Sequence, residues 1–168
     1  MACRQAGGRR GIEVLGLNGG PYDYPHPGYA WAWQRTALNR SLFELGGMGS
    51  GDNHMALGMI GGYEASLPGG VTAGYRDAVA SWASRAAIEV HGKLGFVHGT
   101  LEHPFHGRKG DRGYQTRWDM FLDNGFDPAT DLKRNTYGVL EFAGNKPDLE
   151  RDFDNYLRAR EEDVNTLT

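Results

Sequence analysis

A chain of 168 residues with 18 basic and 21 acidic side chains, a net charge of −3 and an isoelectric point near 6.0 has the length of one domain rather than two. That charge balance argues against a general nucleic-acid binder, which needs a strong basic excess to neutralise phosphates. A single cysteine, Cys3, leaves no disulfide framework and no cysteine-based zinc site, and no apolar run has the length of a membrane span or of a secretory-signal centre, so a cytoplasmic protein is expected.

The 26 glycines lie mostly between Gly7 and Gly113, and only 39% of residues are hydrophobic. With a mean hydropathy of −0.56, this describes a thin core, as in a fold with a polar cleft or with a part missing. Residues 1–11, rich in Arg and Gly, read as a disordered leader, and residues 12–168 as a single domain. A strand is expected over 12–17 and a loop over 18–28, where Gly and Pro punctuate the chain. Tyr29, Trp31 and Trp33 alternate with small residues, which is strand periodicity with three rings on one face. A helix over 34–45 stops at Gly46 and Gly47, and Asp52 is the expected N-cap of a helix through Ile60.

The clearest periodicity follows: Tyr75, Val79, Trp82, Ala86 and Val90 recur at three and four residues, so a helix starts at Thr72 or Gly74 and ends before Gly92. A strand over 94–100 then delivers the loop holding His103 and His106. A helix from Gly110 or Asp111 carries Tyr114, Trp118, Phe121 and Leu122 and closes at Asn124 and Gly125. Residues 135–142 read as a last strand. Pro147, in a first turn, opens a helix to about Glu162 with Leu149, Phe153, Tyr156 and Leu157 inward. The pattern as a whole predicts an α/β fold, a mixed sheet with flanking helices.

Two segments carry chemistry. His103 and His106 stand three residues apart beside Arg108, Lys109, Arg112 and Arg117; imidazole suits borderline divalent metals and guanidinium grips phosphate, so the segment suits a metal-bound phosphorylated ligand. The alternative is a surface turn at Pro104 with a solvated basic face. In Gly46-Gly47-Met48-Gly49-Ser50-Gly51-Asp52 the glycines let one carboxylate approach a substrate closely, as a general base must; the alternative is that Asp52 only caps its helix. His54, in the first turn of that helix, is a candidate third metal ligand or acceptor contact, the alternative being that it simply packs or faces water, and Tyr29, Trp31 and Trp33 are a candidate sugar-stacking platform or simply core.

From residue 22 to residue 117 this succession resembles the carboxy-terminal half of metal-dependent, inverting glycosyltransferases of the GT-A type. In that family an aromatic strand and a helix precede a glycine-rich turn ending in the catalytic base; Gly28-Tyr29-Ala30-Trp31-Ala32, the helix through Phe43 and the turn to Asp52 look like that order. The resemblance makes Asp52 the base, His106 with His103 the ligands of a divalent metal such as Mn²⁺, and Arg108, Lys109 and Arg112 the contacts of a nucleoside diphosphate. It implies a nucleotide-sugar donor and a carbohydrate acceptor, with Tyr29, Trp31, Trp33 and His54 as sugar or acceptor contacts.

Gly51 departs from the family, which has a Glu before the base. The Asp-x-Asp of the family's amino-terminal half has only one counterpart here, Asp152-Phe153-Asp154, and on a helix its carboxylates would point about 200° apart. An acceptor-side half, truncated or a fragment, is therefore expected. The competing expectation is a catalytically silent carbohydrate- or nucleotide-binding remnant. A metal-dependent phosphohydrolase would need more carboxylate ligands than the motifs supply.

Overall fold

The computed structural model describes residues 3–5, 12–14, 30–33, 42–47, 49–91, 93–95, 102, 109–114 and 116–160. They belong to two compact units, one made of Met1–Leu67 with Val79–Leu101 and the other of Pro68–Ala78 with Glu102–Thr168. Each is considered by itself.

In the first unit, β1 (Cys3–Gln5) and β2 (Ile12–Val14) form an antiparallel pair in which Arg4 faces Glu13. Thus a three-residue strand lies inside the arginine- and glycine-rich leader; pairing of backbone groups does not require apolar side chains. Helix α1 (Gly51–Met59) ends where Gly61, at φ 79°, lets the chain reverse and the Gly62 N–H reach the Leu57 carbonyl at 2.8 Å. A 3₁₀ turn, Tyr63–Ser66, follows. Helix α2 (Ala73–Val90) gives this unit Val79, Trp82, Ala83 and Ala86, all buried, at the spacing of one helical face. Phe43 and Met59 complete the apolar cluster, with the Phe43 and Trp82 rings 5.9 Å apart. Gly58 is where α1 meets that face: a Cβ there would stand 2.8 Å from Trp82 Cζ3 and 3.0 Å from Ala83 Cβ.

The second unit is built on rings. Thr72 caps the start of α2, accepting from the Tyr75 N–H at 3.1 Å and donating to the Phe126 carbonyl at 2.7 Å. Tyr75 then meets Trp118 edge to face at 5.5 Å, and Phe121 packs on Phe126 at 4.6 Å. Helix α3 (Asp119–Asp123) stops at Asn124 and Gly125, as its composition predicts. Asp127 caps a short helix α4 (Pro128–Asp131) through the Ala129 N–H at 2.9 Å. The antiparallel ribbon of β3 (Leu132–Arg134) and β4 (Leu140–Phe142) comes next, with Leu132 opposite Phe142. Helix α5 (Pro147–Ala159) buries Leu149 completely and sets Phe153 against Phe142 at 5.1 Å and Phe121 at 6.4 Å. Leu157, expected inward, is 47% exposed, because it falls at the edge of the stripe that Leu149, Phe153 and Tyr156 define.

One carboxylate ties these pieces together. Asp131 is buried, and its oxygens receive the Asp127 N–H, the Lys146 ammonium and the Asn145 amide at 2.8 Å each, and the Thr130 hydroxyl at 3.0 Å. Burial alone would raise its pKa, but these four donors hold the carboxyl below its ordinary range.

Helix and strand are thus mixed along the chain, but the strands described form two separate two-stranded antiparallel ribbons rather than one mixed sheet. Among the described residues, 30–33, 42–44 and 94–95 are irregular where strand, helix and strand were expected, and 135–139 form the turn before β4 rather than strand. A helix from Gly110 is replaced by a 3₁₀ turn, Lys109–Arg112, broken off at Gly113 with φ 50°. No helix among the described residues is long and apolar enough to cross a membrane.

Two substitutions test this packing by urea unfolding. Gly58→Ala is expected to cost about 1–3 kcal/mol, since the added methyl overpacks the α1–α2 contact. Asp131→Ala is expected to cost about 3 kcal/mol or more, since it strands the Lys146 ammonium and three neutral donors at once.

Candidate functional site

In the first unit the glycine-rich turn holds three residues in left-handed backbone: Gly47 at φ 61°, Gly49 at φ 83° and Ser50 at φ 58°. Glycine adopts this conformation at no steric cost, whereas for Ser50 it costs about 1–2 kcal/mol. Ser50 is the N-cap residue of α1, its carbonyl accepting the His54 N–H at 2.7 Å, and its side chain makes no capping bond. Asp52 is therefore not the cap. Gly51 already has helical backbone, which moves Asp52 into the first turn, where its negative charge is favoured by the helix macrodipole. The carboxylate is partly exposed, consistent with a group that meets a substrate.

His54 lies two residues on and is fully buried. Its Nδ1 is 2.7 Å from Ser66 Oγ, and Ser66 donates its own proton to the Tyr63 carbonyl at 2.5 Å. With that proton committed, Ser66 accepts and His54 carries a hydrogen on Nδ1. The Phe43 ring meets the imidazole at 87° with centroids 5.6 Å apart. Burial lowers the His54 pKa from 6.5 to about 4, with the Asp52 charge opposing the shift. The expectation that His54 touches an acceptor gives way here: it is enclosed, and it joins α1 to the Tyr63–Ser66 turn below Asp52.

In the second unit the basic segment ends in the Lys109–Arg112 turn. The Tyr156 hydroxyl donates to the Arg112 carbonyl at 2.9 Å. Gly113 serves the turn itself, at φ 50°, where a Cβ would lie 3.3 Å from Thr116 Oγ1 and in ordinary contact with Tyr156 Cε2 at 3.5 Å. Arg112 Nη1 donates to the Tyr114 hydroxyl at 3.1 Å, and the Arg117 guanidinium lies 4.9 Å from the centre of the Tyr114 ring. Of the aromatic platform, Trp31 is partly covered and Trp33 is 44% exposed.

His103, His106, Arg108 and Tyr29 lie outside the described residues, as does the Lys109 side chain. Among the described residues no three His, Cys, Asp or Glu side chains are grouped to hold a metal ion. Two supporting hydrogen bonds had no signal in the sequence. Ser66 stands 12 positions from His54, and Tyr156 stands 44 positions from Arg112; neither spacing belongs to a local pattern. Comparison with protein-family models, with curated proteins and with solved structures gives no match.

The buried imidazole has a consequence for acid stability. A histidine with a pKa of about 4 when folded and 6.5 when unfolded contributes stability that is fully present above pH 6.5, declines as pH falls and is gone below about pH 4. Its full size is about 3 kcal/mol at most. The Asp131 contribution is lost in a lower window, below its ordinary value of 3.8. Unfolding free energies of the parent and of His54→Asn across pH 4–7 separate them: the variant is expected to show a shallower slope between pH 6.5 and 4.

Proposed function

We propose that this chain is the acceptor side of a metal-dependent, inverting glycosyltransferase of the GT-A type, with Asp52 as its general base. The observation that carries the reading is the presentation of the Asp52 carboxylate, partly exposed in the first turn of α1 behind the left-handed backbone of Gly47, Gly49 and Ser50. A turn of that kind brings a carboxylate to a substrate without a bulky neighbour before it, and a residue held in left-handed backbone at a cost is a common mark of a functional turn.

In this mechanism Asp52 takes the proton of an acceptor hydroxyl as its oxygen attacks the anomeric carbon in line. The bond from that carbon to the nucleoside diphosphate breaks, and the electron pair leaves with the diphosphate. Arg108, Lys109 and Arg112 offset the charge that develops there. His106, with His103, is the proposed ligand set for Mn²⁺, which would neutralise the same charge. Tyr29, Trp31 and Trp33 offer ring faces to a sugar. His54 acts from behind, as the buried support of the turn.

The test is release of nucleoside diphosphate from a panel of nucleotide sugars, with Mn²⁺ and monosaccharide acceptors. Asp52→Asn is expected to slow it about 10²- to 10⁴-fold while lowering stability by less than about 1 kcal/mol, the macrodipole contribution. A variant keeping more than about a tenth of the parent rate would remove Asp52 from the role of base. No release by the parent with any donor would leave a silent binding protein. For the metal, calorimetry with Mn²⁺ should show binding lost in His106→Ala and weakened less in His103→Ala; unchanged binding in His106→Ala would refute that assignment.

A further inference from the structure

The arginines of the second unit are not equivalent. Arg151 and Arg158 are exposed, and each pairs with a carboxylate of its own helix, at 2.6 and 2.7 Å. Arg117 is half-buried and lies over the Tyr114 ring. Its Nε is covered from solvent and has no hydrogen-bond partner, and no carboxylate pairs with it among the described residues. A covered cationic donor left without a protein partner costs free energy and calls for a partner from outside the chain, such as a water molecule or an ion.

We propose that Arg117 is one arm of a receptor for a multiply charged phosphate group of a small ligand, with Arg112 as the other. One tyrosine organises both: the Arg117 guanidinium lies over the Tyr114 ring and Arg112 Nη1 bonds its hydroxyl at 3.1 Å. The Tyr156 hydroxyl, on the Arg112 carbonyl, and the tight turn at Gly113 hold the backbone between them. Guanidinium forks match the paired oxygens of a phosphate, and stacking on a ring lowers the entropy lost when they bind. Asp111, next to Arg112 in the chain, opposes any anion. The attraction of guanidinium groups grows with the charge of the ligand, so pyrophosphate is favoured over a monoanion. A net charge of −3 on the chain argues against nucleic acid as the source of that phosphate. The proposal deepens the diphosphate assignment above and rests on it for the class of ligand.

Thermal unfolding of the full chain with pyrophosphate, without metal and at constant ionic strength, tests it. At about ten times the dissociation constant the parent is expected to gain about 3 °C or more. Arg151→Met, which removes an exposed, paired guanidinium, should gain as much. Arg117→Met should gain nothing, and Arg117→Lys, which keeps the charge but not the fork, should gain much less; the lysine variant decides the matter if the methionine one does not fold. No gain in the parent, an equal gain in either Arg117 variant, or an equal gain from sulfate or acetate would overturn the proposal. Because Mn²⁺ and turnover are absent from this measurement, its failure is distinct from a failure of nucleoside diphosphate release.

Discussion

Burial along one face of α2 is the constraint on which each unit depends. The helix runs 18 residues, Ala73–Val90, about 27 Å at 1.5 Å per residue. It gives Tyr75 to the ring cluster of one unit, and Val79, Trp82, Ala83 and Ala86 to the core of the other. In a chain with so few apolar residues, each large ring has to cover much surface. This accounts for the edge-to-face and tilted pairs among Tyr75, Trp118, Phe121 and Phe126, and for the close approach at Gly58, where a bare backbone admits the Trp82 ring.

A thin core also encloses polar groups, and two are handled by complete pairing. Asp131 receives four donors, one of them the Lys146 ammonium. His54 is kept neutral by burial and oriented by Ser66, whose proton is already committed to the Tyr63 carbonyl. Each arrangement converts a costly buried group into a link between segments. Arg117 contrasts with both, since its covered Nε has no partner among the described residues.

The turn before α1 combines strain with support. Ser50 holds left-handed backbone at a cost, and the His54–Ser66 bond lies one turn beyond it, under the helix that carries Asp52. A strained turn persists when its surroundings over-determine it. The Lys109–Arg112 turn is supported differently, by one hydroxyl from α5 and by a glycine that takes the left-handed backbone behind it. In both places the residue that faces a ligand in the proposed function is backed by a buried or half-buried side chain that is itself hydrogen-bonded.

How far these features were legible depends on their range. Helices α2 and α5 were readable because the apolar repeat that defines a buried face is local, as was the stop of α3 at Asn124 and Gly125. The glycine-rich turn and its carboxylate were visible as residue types, but the sequence by itself put Asp52 at the cap. Only the geometry of Ser50 decided that the helix starts two residues earlier. The inward side of α5 was right for Leu149, Phe153 and Tyr156 and wrong for Leu157, because the partner's shape, not the period, sets the width of a buried stripe. Ser66 under His54 and Tyr156 under Arg112 belonged entirely to the tertiary structure. A hydrogen bond across 12 or 44 residues leaves no periodic trace in the chain, since it exists only when separate elements have packed and left two polar groups no water to pair with.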